Sequence, residues 1–252
     1  MYKILANLPF RTNNVHYLPS CHSTNEVAHD LLQADAEEGT IVITDNQMAG
    51  KGQGGNQWIS PPNLNLTFSL ILKPSFLVPN QQFLITIAMS LGIKDALEDA
   101  VPGEIKVKWP NDIYFDNKKI AGILIENVLR GNSFDSCIAG IGINVNQTLF
   151  EDLILATSMK AIIGRTFDLN KELNNFLAAI SAYYYKLKGG DFEILRAEYH
   201  SSLLGLNENR EFSTVDGKFR GTIRGVDEVG RLLIECDGKV SAFQHKEVQL
   251  IL

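Results

Sequence analysis

Leu64, Leu66, Phe68, Leu70 and Leu72 alternate with Asn65, Thr67 and Ser69, and this period of two predicts a β-strand with one buried face. Over residues 81–100 the period lengthens. Phe83, Leu84, Ile87, Ala88 and Leu91 recur at helical spacing, and Pro102-Gly103 ends the helix. Strand-like stretches follow at 105–109, 113–115, 120–129 and 136–145, with Asp116-Asn117 as a turn between two of them. Lys118 and Lys119 therefore open a returning strand. A second helix is predicted over 171–187, where Leu173, Phe176, Leu177, Ile180 and Tyr184 share one side. From about Arg210 the pattern changes to short strands separated by Asp216-Gly217, Val229-Gly230 and Asp237-Gly238, the signature of a small β-barrel. The expected fold class is α+β: a mixed sheet flanked by helices, then that barrel. The boundary falls near 205–209, giving units of 1–207 and 208–252.

A chain of 252 residues with 45% hydrophobic content can bury one substantial core and a small appendage. The net charge of −6 and a sequence pI of about 5.4 argue against nucleic acid or a membrane surface as partner. Cys21, Cys137 and Cys236 are far apart and lack metal-like spacing, which predicts reduced thiols and a cytoplasmic protein. The stretch 1–10 is apolar for only a few residues and has no cleavage signature, and no run reaches transmembrane length. His16, His22, His29, His200 and His245 form no metal-spaced pair, and no Gly-x-Ser-x-Gly elbow occurs. Metal-hydrolase and serine-hydrolase chemistry therefore lack support.

Two segments carry candidate chemistry. Gly50, Gly52, Gly54 and Gly55 crowd one loop, leaving backbone N–H groups free to wrap an anion, and Lys51 adds charge. Further along, Lys108-Trp109-Pro110-Asn111-Asp112 supplies an amide and a carboxylate, followed by a lysine pair beside apolar strand residues. A polyphosphate cradle with a carboxylate able to hold magnesium points to nucleotide chemistry. Gly50, Gly52 and Gly55 also satisfy a GxGxxG spacing after the strand-like run Thr40-Ile41-Val42-Ile43-Thr44. A dinucleotide fold needs a helix directly afterwards and an acid about twenty positions on. Trp58-Ile59-Ser60-Pro61-Pro62 follows instead, and Ser75 stands near the expected acid. A P-loop fails because no Gly-Lys-Ser/Thr occurs. A flexible surface loop is the plain alternative for the glycines.

The ordered set of motifs resembles the biotin–protein ligases over most of the chain. Ser23-Thr24-Asn25, Gln47 with the 50–55 loop and Trp58, and Lys108 to Asp112 match the family's successive signatures. Lys119, Gly122, Leu124 and Glu126 match its Lys-x-x-Gly-Ile-Leu-x-Glu strand, Gly140 to Asn146 its Gly-Ile-Gly-x-Asn strand, and Ala156-Thr157-Ser158 a weaker motif before a helix. Many members have arginines at the positions of Lys51, Gln53 and Gly54, so this loop keeps a single cation without an arginine's bidentate fork. Only 22 residues precede Ser23, too few for the DNA-binding helical domain some relatives carry, so the ligase-only form is expected.

The resemblance implies a class II synthetase-like catalytic domain with an SH3-like C-terminal domain. It implies ATP-dependent conversion of biotin to biotinyl-5′-adenylate, then transfer to a lysine of the biotin carboxyl carrier protein domain of a biotin-dependent carboxylase. ATP and Mg2+ are the implied cofactors. Lys119 is the implied catalytic cation, with Asn111 and Lys51 beside it; otherwise Lys119 is a solvated turn lysine. Biotin would contact Ser23, Thr24, Asn25, Gln47, Gly50, Lys51, Lys119, Gly122, Leu124 and Gly140, with Gly142 as a further wall. Helix capping is the alternative role for Ser23 and Thr24. The nucleotide would contact Lys51, Gly52, Gln53, Gly54, Gly55, Trp58, Asn111 and Asn144, and Trp109 would flank it unless the tryptophans are simply core. Asp112 would hold the metal, or with Asn111 form only a turn. Two other readings compete. A lipoate ligase or octanoyl transferase shares the fold but favours an Arg-Arg-x-x-Gly-Gly loop, absent here. A biotin-binding protein without catalysis is disfavoured by Lys51, Asp112 and Lys119.

Overall fold

The computed structural model of the chain describes residues 14–130, 133–150 and 155–252; the apolar stretch at 1–10 lies outside them. In chain order the first elements are β1 (Val15–Leu18), α1 (Thr24–Gln33), β2 (Ile41–Thr44), β3 (Gly50–Lys51), β4 (Gln57–Trp58) and β5 (Leu66–Leu72). Then come α2 (Phe83–Ala100), β6 (Ile105–Lys108), β7 (Asp112–Phe115), β8 (Lys118–Arg130) and β9 (Ser133–Ile143). Helices α3 (Met159–Ile163), α4 (Leu169–Lys188) and α5 (Phe192–Ser201) precede β10 (Asn209–Thr214), β11 (Gly217–Val226), β12 (Leu232–Cys236), β13 (Lys239–Phe243) and β14 (Gln249–Leu250).

Seven strands form one mixed sheet in the order β1-β2-β5-β9-β8-β7-β6. The β1–β2 pair is parallel and the other ladders are antiparallel. Helix α1 covers one face around Ala28, Val42, Ile71 and Ile138. Helix α2, backed by α4 and α5, covers the other, where Leu66, Phe68, Leu70 and Leu72 enter the main core. The expectation of one buried face on β5 is therefore corrected: all seven of its residues are buried. Thr67 and Ser69 point to the α1 side, where Ser69 meets Thr24 and Asn25. The predicted helices and strands otherwise appear within a few residues of their expected bounds, and α5 is an addition.

The five C-terminal strands pair antiparallel in the order β13-β12-β11-β10-β14, an open sheet with β13 and β14 at its edges rather than a closed barrel. Their turns use left-handed backbone at Gly217, Gly230, Asp237 and Gly238, the positions the sequence marks. Phe212, Ile223, Leu232 and Ile234 from this sheet join the same hydrophobic core as α2 and the seven-stranded sheet. Trp109 Nε1–H donates to the Gly230 carbonyl at 2.9 Å, and Val107 hydrogen-bonds on both sides, to Ser202 and Leu204. The segment leading into the C-terminal sheet is thus held against the strand that ends at Lys108, and the sheet's Gly230 turn against Trp109 just beyond it.

Candidate active site

On the α1 side of the large sheet, three neighbouring strands lack bulk. Thr67 of β5 pairs with Gly142 of β9, which pairs with Gly122 of β8; two residues along, Ser69, Gly140 and Leu124 stand in the same relation. Side chains two apart share a face and lie roughly 7 Å apart along a strand. The result is a slot with two distinguishable ends.

The first end is polar. A Cβ at Gly140 would stand 2.3 Å from Asn25 Oδ1, so only glycine lets α1 come this close. Asn25 Nδ2 donates to Glu126 Oε2 at 2.5 Å, which fixes the amide so that its Oδ1 accepts from Ser69 Oγ at 2.6 Å. Ser69 Oγ also lies 2.7 Å from Thr24 Oγ1, whose own hydroxyl donates to Gln47 Oε1 at 3.2 Å. The Thr24 backbone N–H donates to Gln47 Oε1 at 2.8 Å, leaving the Gln47 Nε2 protons for another acceptor. Ser23 occupies the N-cap position of α1 yet makes no capping hydrogen bond, so that alternative role is not the one its hydroxyl performs here. Ser23, Thr24, Asn25 and Ser69 are all buried.

The second end is charged. The turn at Asp116, with φ 51°, returns the chain so that Lys119 pairs with Tyr114 in the ladder, and its side chain reaches along the sheet to bring Nζ within 2.6 Å of Asp112 Oδ1. The Lys119 backbone is clamped on its far side: its N–H donates to Leu155 and its carbonyl accepts from Thr157. Lys119 is a held side chain rather than a free turn lysine. Asn111 is buried and donates its amide N–H to the Ile123 carbonyl, which turns Oδ1 away from that strand. Lys108, beside them, lies over the Tyr114 ring; burial pushes its ammonium below the ordinary lysine range, while Asp112 pulls the other way.

Residues 50–58 form a β3–β4 hairpin over this end rather than the start of a helix. The Trp58 indole lies against Gly142, where a Cβ would stand 2.2 Å from Cε2, and its Nε1–H is buried without a partner. It also sits under the Lys119 ammonium, 5.5 Å from ring centroid to Nζ. The slot beneath it has a free volume of about 50 Å³, room for a few waters only. Lys51, at the rim of the slot, pairs with Glu26 of α1 at 2.7 Å, both half exposed. Beyond the hairpin a cavity of about 670 Å³ opens between Gly52–Gly54, the 108–112 segment, Lys119 and the C-terminal sheet.

Most expected site residues converge. Ser23, Thr24, Asn25, Gln47, Lys51, Gly52, Gln53, Trp58, Asn111, Asp112, Lys119, Gly122, Leu124, Gly140 and Gly142 line the slot, and Gly54 and Trp109 line the larger cavity. Gly50 backs Gln47, whose Nε2 would be 2.5 Å from a Cβ there. Asn144 lines neither; its amide donates to the Thr157 carbonyl and buttresses the segment that clamps Lys119. Gly55 borders open space. Among the described residues no cluster of three or more metal-ligating side chains occurs, at Asp112 or elsewhere. Sequence reasoning missed Ser69 and Thr67, read only as the polar half of a strand, and the residues from the C-terminal sheet, His245 and Lys246 among them. Buried serine and threonine opposite glycine on neighbouring strands is the signal that finds the first pair.

Residues 17–144 match the biotin/lipoate A/B protein ligase family. The bifunctional ligase/repressor BirA of Bacillus subtilis is 32% identical over 233 residues, covering 90% of this chain and 71% of that protein. BirA of Escherichia coli is 29% identical over 246 residues, 94% of this chain and 74% of its own length. Among solved structures, a biotin protein ligase from Aquifex aeolicus in complex with biotin and ATP superposes with a TM-score of 0.79 at 30% identity, covering 95% of this chain and 99% of that one.

Proposed function

The chain belongs to the biotin/lipoate A/B protein ligase family and is a biotin–protein ligase, and from that premise we propose that it activates biotin with ATP and delivers it to a carrier-domain lysine. The observation that carries biotin over lipoate is the polar end of the slot. A ureido ring presents one carbonyl and two N–H groups. Gln47 Nε2 offers a donor, and the Thr24 and Ser69 hydroxyl oxygens, whose protons are directed to Gln47 Oε1 and to Asn25 Oδ1 or Thr24 Oγ1, offer acceptors. A dithiolane ring has no such groups and would leave this buried set unmatched, at a cost of about 1–3 kcal/mol per group.

In the first step a biotin carboxylate oxygen attacks the α-phosphorus of ATP, the bond to the β-phosphate breaks, and pyrophosphate leaves with the bonding pair. Two anions must be brought together. Lys119 supplies the cation between them, exchanging Asp112 for the substrate carboxylate, while Asn111 Oδ1, an acceptor, is suited to orient the attacking carrier amine of the second step. Lys51, Gly52, Gln53, Gly54 and Trp58 cover the nucleotide. Released from Lys119, Asp112 suits magnesium in the usual one-carboxylate manner, with phosphate oxygens and water as the remaining ligands; the ion would neutralise phosphate charge. In the second step the carrier amine attacks the acyl carbon, loses a proton, and AMP departs with the electron pair of the broken C–O bond. We assign this chemistry to unit 1–207, with 208–252 as the appended C-terminal unit. We also propose a cytoplasmic setting, supported by the free thiols of Cys21, Cys137 and Cys236.

Biotin-dependent ATP–pyrophosphate exchange tests the first step, and transfer of labelled biotin to an isolated carrier domain tests the second. Exchange driven by lipoate or octanoate but not biotin would overturn the substrate, and biotin binding without exchange would leave a binding protein.

A further inference from the structure

Lys246 stands in the bend between β13 and β14 with φ 75°, a left-handed conformation that a lysine adopts only against steric cost. The turn is closed by Glu247 N–H on the Gln244 carbonyl and by Gln244 N–H on Glu247 Oε2, and the Lys246 side chain has no part in those bonds. It reaches the glycine hairpin. A Cβ at Gly54 would stand 2.7 Å from Lys246 Cε and 3.4 Å from its Nζ, so the lysine stem occupies the space that a side chain at 54 would fill. Lys246 lines the same cavity as Gly52, Gly54, Lys108, Asp112 and Lys119.

The other cations on the hairpin and around this cavity are engaged or weakened. Lys51 is paired with Glu26, Lys119 with Asp112, and Lys108 is held by burial where its charge is least favoured. Gln53, on the hairpin itself, is neutral, with its Oε1 buried and unbonded. Among the described residues Lys246 forms no ion pair, so its ammonium is uncommitted.

We propose that Lys246, carried by the C-terminal sheet, is a polyphosphate-binding residue of the ATP site, supplying across the cleft the positive charge that Gln53 and Gly54 do not. This rests on the ligase reading and extends it: the ammonium contacts the triphosphate and neutralises the pyrophosphate as it leaves. Gly54 is then small because the cation comes from elsewhere. His245, whose ring packs 6.1 Å from that of Trp109, anchors the bend beside the 108–112 segment.

The test is titration calorimetry of ATP, and separately of biotin, on the full chain and on Lys246→Gly and Lys246→Arg. Glycine removes the backbone strain, so Lys246→Gly should melt no lower than wild type, while its ATP affinity falls about tenfold and becomes less salt-dependent. Biotin affinity should be unchanged, and Lys246→Arg should restore ATP binding to within about threefold. Equal ATP affinity in wild type and Lys246→Gly overturns the proposal, and so does a parallel loss of ATP and biotin, which would mean a packing role. Because binding needs no turnover, wild type that binds ATP but shows no biotin-dependent exchange would remove the ligase reading while leaving Lys246 decided on its own data.

Discussion

At the scale of single residues, Lys119 is the side chain whose setting most constrains the chemistry. Its backbone is fixed from both directions by Leu155 and Thr157, its ammonium is held by Asp112 and lies over Trp58, and it is only about a third exposed. A lysine so placed has little rotamer freedom left to lose when an anion replaces Asp112, so its charge is already oriented for the reaction. Lys119→Ala should therefore fold, because the clamp uses only main-chain atoms. Its pyrophosphate exchange should drop roughly a hundredfold or more. Near-wild-type exchange in a variant with an unchanged circular dichroism spectrum would remove Lys119 from the mechanism. The motif around Lys119 was plain in the sequence, but its clamp was not. The clamp depends on Asn144 and Thr157 meeting through space, and their types alone say only that each can hydrogen-bond.

Among elements, the β3–β4 hairpin controls access. With Trp58 against Gly142 the slot holds about 50 Å³, too little for a fused bicyclic ring, so the hairpin must shift before biotin enters. The shift is inexpensive. Two ladder pairs hold the hairpin, Gly54 and Gly55 lie at positive φ, and the Trp58 indole N–H gains a chance at a partner by leaving. Trypsin should cut after Lys51 in the free protein and be slowed by biotin plus ATP, with Trp58 fluorescence changing over the same ligand range. Equal cleavage and unchanged emission would mean that the slot opens some other way. Glycine clustering announced a pliable loop, and Trp58-Ile59-Ser60-Pro61-Pro62 announced that no helix follows. The hairpin and its occlusion of the slot were not legible, because they arise from a tryptophan meeting Gly122 and Gly142, far downstream in two other strands.

The whole molecule shares one core across its two sheets, and the seam between them passes through His200 at the end of α5. Its ring sits 3.1 Å from where a Cβ of Gly225 would be, and its Nε2 lies 3.0 Å from the Val226 carbonyl and 3.2 Å from the Val226 N. Burial holds the His200 imidazole below its ordinary value of 6.5, with the Arg196 charge adding to the effect and the Val226 contact opposing it. A depressed histidine favours the native state while neutral. That contribution is complete above the unfolded value and is lost as pH falls from 6.5 through the folded one. At pH 7.5 the continuity of the core predicts a single urea transition for both sheets, with the C-terminal strands unable to melt first. Toward pH 5 the midpoint should fall, and His200→Gln, which cannot titrate, should fall by less. Two separate transitions at pH 7.5 would refute a shared core. An equal acid-induced loss in His200→Gln would move the pH sensitivity to other groups, with His245, also depressed by burial and by Lys246, the next to replace.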